Sequence, residues 1–223
     1  MNRRTFLKYG SFSFLLSQIG CRSVDHTGTL KNHEKQLIDS NPNIVTVGPE
    51  NSRGDTSLRR KSHRAAHLTS AELMKIDHVM RARLKKSGGV GLAAPQIGLN
   101  RRIFLVMLQN QKKEIITCID PVIVEKSVEK EDGYEGCLSI PGFGALVPRH
   151  SSLKVTFSDR KGTPKTLSVK GFEARIFQHE YDHLEGVLYI DKIKGKLLPW
   201  EEVKRLRSQT ASVERPDDPH ILI

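Results

Sequence analysis

Residues 179–183 read H-E-x-x-H, and no other stretch limits the folding of this chain as strongly. Apolar residues recur around it at helical spacing, which predicts a helix over about residues 171–184. Positions i and i+4 share one face of a helix, so His179 and His183 would point at the same spot. Two neutral imidazoles there can bind a divalent metal ion, and Glu180 can take a proton from water at that metal. An ionised Glu180 on a largely apolar helix needs a cation nearby, and a metal supplies one.

The same pattern also fits a helix with two buried histidines that bind no metal. Because the chain contains 9 histidines, H-E-x-x-H alone does not separate the two interpretations. A third metal ligand and a group that can hold an oxyanion, both from elsewhere in the chain, would favour the metal site.

Length and composition allow one domain of about 150 residues with appendages. The chain has 223 residues, of which 37% are hydrophobic and 27% charged, as is typical of a soluble globular protein. The net charge of +11 is spread over the chain, with +5 in residues 1–62 and +6 in the rest. Since there is no single basic stripe, we expect a solvated basic surface and no nucleic-acid partner.

The N-terminus resembles a twin-arginine export signal. Arg3 and Arg4 are followed by F-L-K at residues 6–8 and by a short apolar region, so residues 1–21 are predicted to be the export signal. Cys21 stands where a lipoprotein-type processing site would end, although the residues before it depart from the usual pattern. The segment favours the cell envelope or periplasm, and a cytoplasmic protein with a basic tail is the alternative. There is no apolar run of about 18 residues, so no transmembrane helix is expected.

Local patterns predict the remaining elements. A capping box and a Gly-Gly pair predict a helix over residues 70–87. The stretch 133–142 is predicted to be rich in turns, and a last short helix is predicted to begin at Pro199. Predicted strands lie at 44–47, 103–108 and 115–124, with a hairpin of 153–157 and 166–169. Outside a domain of residues 44–205, we predict a polar linker at 22–43 and a loose tail at 206–223.

Two further stretches are candidates for the rest of a site. Residues 89–98 are rich in small residues, so they form either a tight turn or a loop that lines a cleft, with the Gln96 amide as a donor. Cys137 is either a free buried thiol or a thiolate beside a divalent metal. Cys118 lies in a predicted strand and is interpreted as a buried small residue.

Taken together, three stretches resemble the signature motifs of the peptide deformylase family. They are G-x-G-L-A-A-x-Q at 89–96, E-G-C-L-S at 135–139 and Q-H-E-x-D-H-L-x-G at 178–186. Their order and spacing also fit, and the resemblance covers residues 44–205. It implies an α+β fold in which antiparallel β-sheets pack around a central metal-binding helix.

The resemblance also implies roles for individual residues. One divalent metal would be held by three protein ligands and water, and the ligands would be Cys137, His179 and His183. Glu180 would be the general base and acid, and the Gln96 side chain and the Leu138 backbone N–H would hold the oxyanion. The pocket for a methionine side chain would be lined by Val90, Gly91, Phe172 and Ile176.

The implied reaction removes the N-terminal formyl group from N-formylmethionyl peptides and releases formate. The implied metal is Fe(II), with Zn(II), Ni(II) or Co(II) able to occupy such a site, and a thiolate with two imidazoles also suits Zn(II). A monomer is expected. Gly144 departs from the family, in which Arg is frequent at this position, so binding of the peptide beyond its first residue stays open.

Two other functions stay open as well. A zinc peptidase of the H-E-x-x-H type would need a downstream ligand such as Glu201 or Glu202, because Tyr189 stands where one branch has His. The other is an envelope protein that binds a metal but has no turnover.

Overall fold

The structure is a computed structural model, and it describes residues 29–48 and 57–214, with side chains up to residue 209. The predicted export signal at 1–21, including Cys21, lies outside the described residues.

Four α-helices and eight β-strands occur in these described ranges. The helices are α1 (Asn32–Asp39), α2 (Ser70–Ser87), α3 (Gly171–Leu184) and α4 (Trp200–Glu214). The strands are β1 (Gly91–Ala93), β2 (Ile103–Met107), β3 (Ile115–Lys126), β4 (Lys130–Cys137), β5 (Ile140–His150), β6 (Ser152–Ser158), β7 (Pro164–Lys170) and β8 (Leu198–Pro199).

The strands form two antiparallel sheets. The larger has the order β1-β2-β3-β6-β7, and the smaller has the order β4-β5-β8. Each neighbouring pair is antiparallel, so the predicted α+β class with antiparallel sheets is confirmed. The helix predicted at 70–87 and the hairpin of β6 and β7 also lie where the local patterns place them.

Helix α2 shows why such local predictions succeed. The Thr69 hydroxyl accepts from the Glu72 N–H at 3.3 Å, and the Glu72 carboxylate accepts from the Thr69 N–H at 3.0 Å. Gly88 ends the helix with a φ of 71°, a conformation in which glycine has no steric penalty. Both boundaries are therefore set by residues within one turn of each end.

Helix α3 packs against both sheets. It contacts β1, β2, β6 and β7 of the larger sheet and β5 of the smaller one. Phe177 meets Phe104 of β2 edge to face, with ring centroids 5.7 Å apart. Residues 174–180 and 182–184 are all buried, so the polar side chains of this helix need partners inside the protein.

The stretch 133–142 is not the turn-rich segment predicted from its glycines. It belongs to the hairpin of β4 and β5, whose only turn residues are Leu138 and Ser139. Gly133 lies within β4, where an added Cβ would come within 2.6 Å of the Arg175 guanidinium. Glycine occurs here because another side chain needs the space, which composition alone does not reveal.

The prediction of a polar linker at 22–43 is wrong for its described part. Helix α1 packs on the domain through buried Ile38, and its Glu34 carboxylate accepts from the Arg101 guanidinium at 2.7 and 2.8 Å. The polar composition of residues 22–62 favours a linker and hides this helix. Its burial depends on a partner 67 residues away, a contact that no local pattern indicates.

Two other predicted boundaries also need correction. Residues 44–47 form no strand, although two of their N–H groups are hydrogen-bonded to other parts of the domain. The predicted tail at 206–223 begins too early, because α4 continues to Glu214 and Arg207 on it is buried. Arg207 donates to the Tyr134 carbonyl of β4, so the helix is still held to the smaller sheet beyond residue 206.

Among the described helices, none has both the length and the apolar character needed to cross a membrane.

We predict that Glu34→Ala will lower the free energy of unfolding by about 3 kcal/mol, because it leaves the buried Arg101 charge without its carboxylate partner. Urea unfolding at constant metal content measures the change.

The matched control is Asp39→Ala on the same helix. Asp39 pairs with Lys75 at the surface, and both side chains are more than half exposed. This pair should contribute less than about 1 kcal/mol. Equal effects of the two substitutions would contradict the structural role assigned to Glu34.

Candidate metal centre

The structure brings the three predicted metal ligands together. Cys137 is the last residue of β4, and His179 and His183 lie one turn apart on α3. The thiol sulfur and one nitrogen of each imidazole lie within 4.8 Å of one another, and all three residues are buried. Cys137 Sγ and His183 Nε2 are 3.4 Å apart. One sulfur and two nitrogens around a common point suit a divalent metal of the zinc or iron type.

The polar atoms facing this point fit a metal and its water. Within the described part of the chain, no hydrogen-bond partner faces His179 Nε2 or either oxygen of Glu180. Buried polar atoms normally have partners, so these three atoms are explained if a cation and a water molecule lie between them. The donor set and its surroundings therefore fit the metal that the sequence predicts.

Glu180 lies beside the ligands with no exposure to solvent. Burial raises the pKa of Glu180 well above its usual range, and the negative charge of Glu135 adds to the effect. Its carboxylate sits against the backbone of β1, where a Cβ on Gly91 would come within 2.2 Å of Glu180 Oε1. Gly91 is therefore required by a close approach of the candidate base.

The protonation of the ligands follows from their burial. Burial raises the pKa of the Cys137 thiol to about 12, although the Ser139 N–H donates to the sulfur at 3.4 Å. Burial, and then the electrostatic effect of His179 and Arg149, lowers the pKa of His183 well below its usual value. His183 is thus the neutral imidazole that binds metals, whereas the thiol needs a cation to become a thiolate.

Gln96 approaches the site from the loop after β1. Its side-chain oxygen accepts from the Ala93 N–H at 2.7 Å, which fixes the orientation of the amide. Its Nε2 then points at Cys137 Sγ, 3.6 Å away, and at Ser139 Oγ, 3.3 Å away. Leu138, the other predicted oxyanion donor, follows Cys137 directly in the tight turn.

A carboxylate behind the site orients the first imidazole. Glu135 Oε2 accepts from His179 Nδ1 at 3.0 Å, which assigns the proton to Nδ1 and leaves Nε2 for a metal. Burial alone would raise the pKa of Glu135, but the Arg149 guanidinium, donating twice at 2.8 Å, holds it well below its usual range. Arg175 adds a fourth hydrogen bond to this carboxylate at 2.9 Å.

These supporting residues are absent from the sequence prediction, except that Glu135 lies in a quoted motif. Arg149 also pairs with Asp182, which in turn accepts from Lys192 at 2.6 Å. One signal was available: Arg175 lies four residues before His179, so both share a helical face. The pairing of Arg149 with Glu135 depends on the register of the β4–β5 hairpin, which the sequence does not indicate.

The residues predicted to line the substrate pocket lie in one apolar cluster. Val90 and Ile176 are buried in it, and Phe172 is partly buried against it. The cluster occupies the space between α3 and the larger sheet. Gly91 follows Val90 directly and so connects this cluster to Glu180.

Gly144, the departure from the family pattern, has a local explanation. A Cβ there would lie 2.8 Å from the Trp200 ring and 2.9 Å from the Glu135 carbonyl oxygen. Trp200 at the start of α4 therefore fills the space that a side chain at position 144 would need.

The residues needed by the zinc-peptidase alternative are not at the site. The Glu201 side chain is 83% exposed and pairs with Lys204 on the surface of α4. Tyr189 stacks on the His179 ring, with centroids 6.1 Å apart, so its contact with the site is ring packing against an imidazole. Among the described residues, the group that could hold a metal ion contains Cys137 as the third member.

Three protein ligands, an adjacent carboxylate and nearby amide donors define a class of protein: a hydrolase with one catalytic metal ion. Comparisons with known proteins specify the family. Residues 31–197 of this chain match the sequence model of a family described as polypeptide deformylase. Peptide deformylase 2 from Nostoc sp. is 38% identical over 151 residues, which are 65% of this chain and 84% of that protein.

Solved structures agree. The peptide deformylase of Thermotoga maritima has a TM-score of 0.62 and 33% identity, over 69% of this chain and 98% of that one. A class I type b peptide deformylase from Acinetobacter baumannii, bound to Met-Ala-Ser, has a TM-score of 0.59 and 31% identity, over 67% and 96% of the two chains. This chain belongs to the peptide deformylase family. Because the family match begins at residue 31, the predicted domain start at 44 is too late.

We predict that Gly91→Ala will lower kcat for formyl hydrolysis roughly 100-fold, because the new Cβ displaces the Glu180 carboxylate from its place. The bound metal should stay, since its three ligands are untouched. Steady-state formate release and metal analysis measure both quantities.

Gly162→Ala is the control, because it makes the same substitution at a position away from the site. Gly162 lies in the β6–β7 turn with a φ of 80° and open space around its Cα. This substitution should lower stability by about 1 kcal/mol through backbone strain and leave kcat unchanged. Normal turnover of Gly91→Ala would show that Glu180 does not need its present position.

Proposed function

We propose that this peptide deformylase removes the formyl group from N-formylmethionyl peptides with one divalent metal ion held by Cys137, His179 and His183. The observation that carries the proposal is the convergence of these three ligand atoms within 4.8 Å, beside Glu180. The Acinetobacter baumannii relative was solved with Met-Ala-Ser bound. Since the whole site is built from one chain, we propose that the monomer is sufficient for activity.

When bound, the metal ion supplies Lewis acidity, which makes water a nucleophile near neutral pH. Glu180 is the general base, because its two oxygens face the site and have no protein partner in the described residues. Its carboxylate lies against β1 beside the candidate ligands, where it can take a proton from water and return it later in the reaction. Water attacks the formyl carbon as Glu180 accepts its proton.

The negative charge that develops on the formyl oxygen needs donors in place before the reaction. The Gln96 amide and the Leu138 N–H serve as these donors, since Gln96 Nε2 and the residue before Leu138 already adjoin each other. Glu180 then returns its proton to the leaving amine, and the C–N bond breaks. The products are formate and a peptide with a free N-terminus.

The apolar cluster around Val90, Phe172 and Ile176 is the proposed pocket for the methionine side chain. Such a side chain is unbranched and flexible, so it suits an apolar space of irregular shape. Gly91, the residue after Val90, lets the Glu180 carboxylate lie against β1, so the candidate base stands beside the proposed pocket.

For the metal we propose Fe(II), on the resemblance to the family, with Zn(II), Ni(II) or Co(II) as substitutes. The buried Cys137 and the two imidazoles accept all four ions. Metal analysis of protein purified without oxygen distinguishes them, and a zinc-only protein with full turnover would contradict the assignment of iron.

We predict that Glu180→Ala will lower kcat roughly 10²–10⁴-fold, the range expected for the loss of a general base. Glu180→Gln serves as the isosteric control, since it keeps the shape but cannot accept the proton. Formate release from formyl-Met-Ala-Ser is the measurement. Near-normal rates in either variant would end the proposed mechanism.

Gln96→Ala should lower kcat roughly 10²–10³-fold, as expected for the loss of one oxyanion donor. The metal content should not change, because Gln96 is not a ligand in this proposal.

Metal content also separates the deformylase from the zinc-peptidase alternative. Cys137→Ala should lose the metal, and Glu201→Ala should keep it, because Glu201 lies on the surface. The reverse result would favour the peptidase. A protein that keeps its metal but releases no formate would support the metal-binding envelope protein.

We also propose export to the cell envelope, on the sequence of residues 1–21 alone. Replacing Arg3 and Arg4 together by Lys should keep the protein in the cytoplasmic fraction, because the paired arginines are the address that the exporter reads. Cell fractionation with an antibody measures the distribution. An unchanged distribution would favour the cytoplasmic alternative.

A further inference from the structure

A short segment outside the three signature motifs reaches both sides of the oxyanion site. We call residues 44–47 the strap. The Val45 N–H donates to the Gln96 carbonyl at 2.7 Å, and the Val47 N–H donates to the Ser139 carbonyl at 2.8 Å. Gln96 follows a strand of the larger sheet, whereas Ser139 lies in the turn of the smaller sheet. The strap therefore joins the two loops that carry the candidate donors.

The side chains of the strap fit an extended backbone. Val45 and Val47 pack against the apolar cluster around the β4–β5 hairpin, and Ile44 packs against the cluster beneath α2. Thr46, between the two valines, is exposed. Alternate N–H groups of an extended chain point to the same side, which explains why Val45 and Val47 both supply a hydrogen bond.

The upstream end of the strap is also held. The Arg83 guanidinium of α2 donates to the Asn41 carbonyl at 2.7 Å and to Asn43 Oδ1 at 2.9 Å. Arg83 is itself buried. The strap is thus held in place on its N-terminal side. Its two hydrogen bonds can therefore fix the positions of the Gln96 and Ser139 main chains.

The position of the Gln96 amide depends on the strap, because the strap is bonded to the main chain of Gln96. Its side-chain oxygen is engaged by Ala93, and its Nε2, which lies against Cys137 Sγ and Ser139 Oγ, is the donor proposed for a substrate oxygen. Its backbone carbonyl is the group that the strap holds. A small movement of the main chain at Gln96 would therefore move the donor directly.

We propose that the strap is a positioning element for the oxyanion donors, which fixes the Gln96 amide relative to the Leu138 N–H. This inference rests on the proposed function of those two donors. Oxyanion donors act at 2.7–3.1 Å from the oxygen, so a shift of a few tenths of an ångström weakens transition-state binding. Substrate binding in the apolar pocket does not involve the strap and should change little.

Proline substitutions test the proposal because proline has no N–H to donate. Val45→Pro and Val47→Pro each remove one strap hydrogen bond, and Thr46→Pro is the matched control that stiffens the same segment. For the first two we expect kcat to fall roughly 10- to 100-fold, less than the loss of a whole donor. KM and metal content should stay near those of the wild type, and Thr46→Pro should keep its kcat.

A double-mutant cycle distinguishes positioning from a general loss of stability. If the strap acts through Gln96, adding Val45→Pro to Gln96→Ala should cost little further activity, because the donor is already gone. A role in stability alone would instead lower kcat by the same factor in both backgrounds.

The outcomes are distinct. A wild-type protein that releases no formate contradicts the proposed function, whereas the ratio of variant to wild-type kcat concerns the strap. The strap proposal is overturned if both valine variants keep wild-type kcat, or if their effects multiply fully with Gln96→Ala. Loss of the metal or of the folded state in both valine variants also overturns it, since the strap would then be a stabilising contact only.

Discussion

Glu135 is fully buried, and the hydrogen bonds to its carboxylate join three elements. It lies on β4, accepts twice from Arg149 on β5, and accepts from Arg175 and His179 on α3. Removing one partner from a buried charge is strongly destabilising, so these contacts favour the arrangement in which all three elements meet. The same contacts orient the first metal-binding imidazole. Stability and site geometry thus depend on one carboxylate.

Around this carboxylate, the two sheets contribute different parts of the site. The smaller sheet supplies the Cys137 thiol and the Leu138 N–H, and the larger sheet leads into the loop of Gln96. Helix α3 touches both sheets and supplies the two imidazoles and Glu180. Since the ligands and donors come from separate layers, their distances depend on how the layers are held together. The buried ion pairs, and in our proposal the strap, serve that purpose.

The sequence predicted elements whose boundaries are local. The ends of α2 are set by Thr69, Glu72 and Gly88, and the apolar spacing of α3 marks its length. The prediction from sequence failed for α1 and for the β4–β5 hairpin. In α1 the decisive contact is with Arg101, and in the hairpin Gly133 and Gly144 make room for side chains of other elements. Such contacts join residues far apart in the chain and leave no periodic pattern.

The same division holds for the site. The sequence by itself determined the chemical types of the ligands and placed His179 and His183 on one face, because helix periodicity follows from the covalent backbone. Only the tertiary structure decided that a thiol 46 residues before His183 lies 3.4 Å from its ring. It also decided that Glu180 is fully buried and that Glu135 orients the first imidazole. Those features depend on strand register and layer packing, which arise from many weak long-range contacts and have no short sequence pattern.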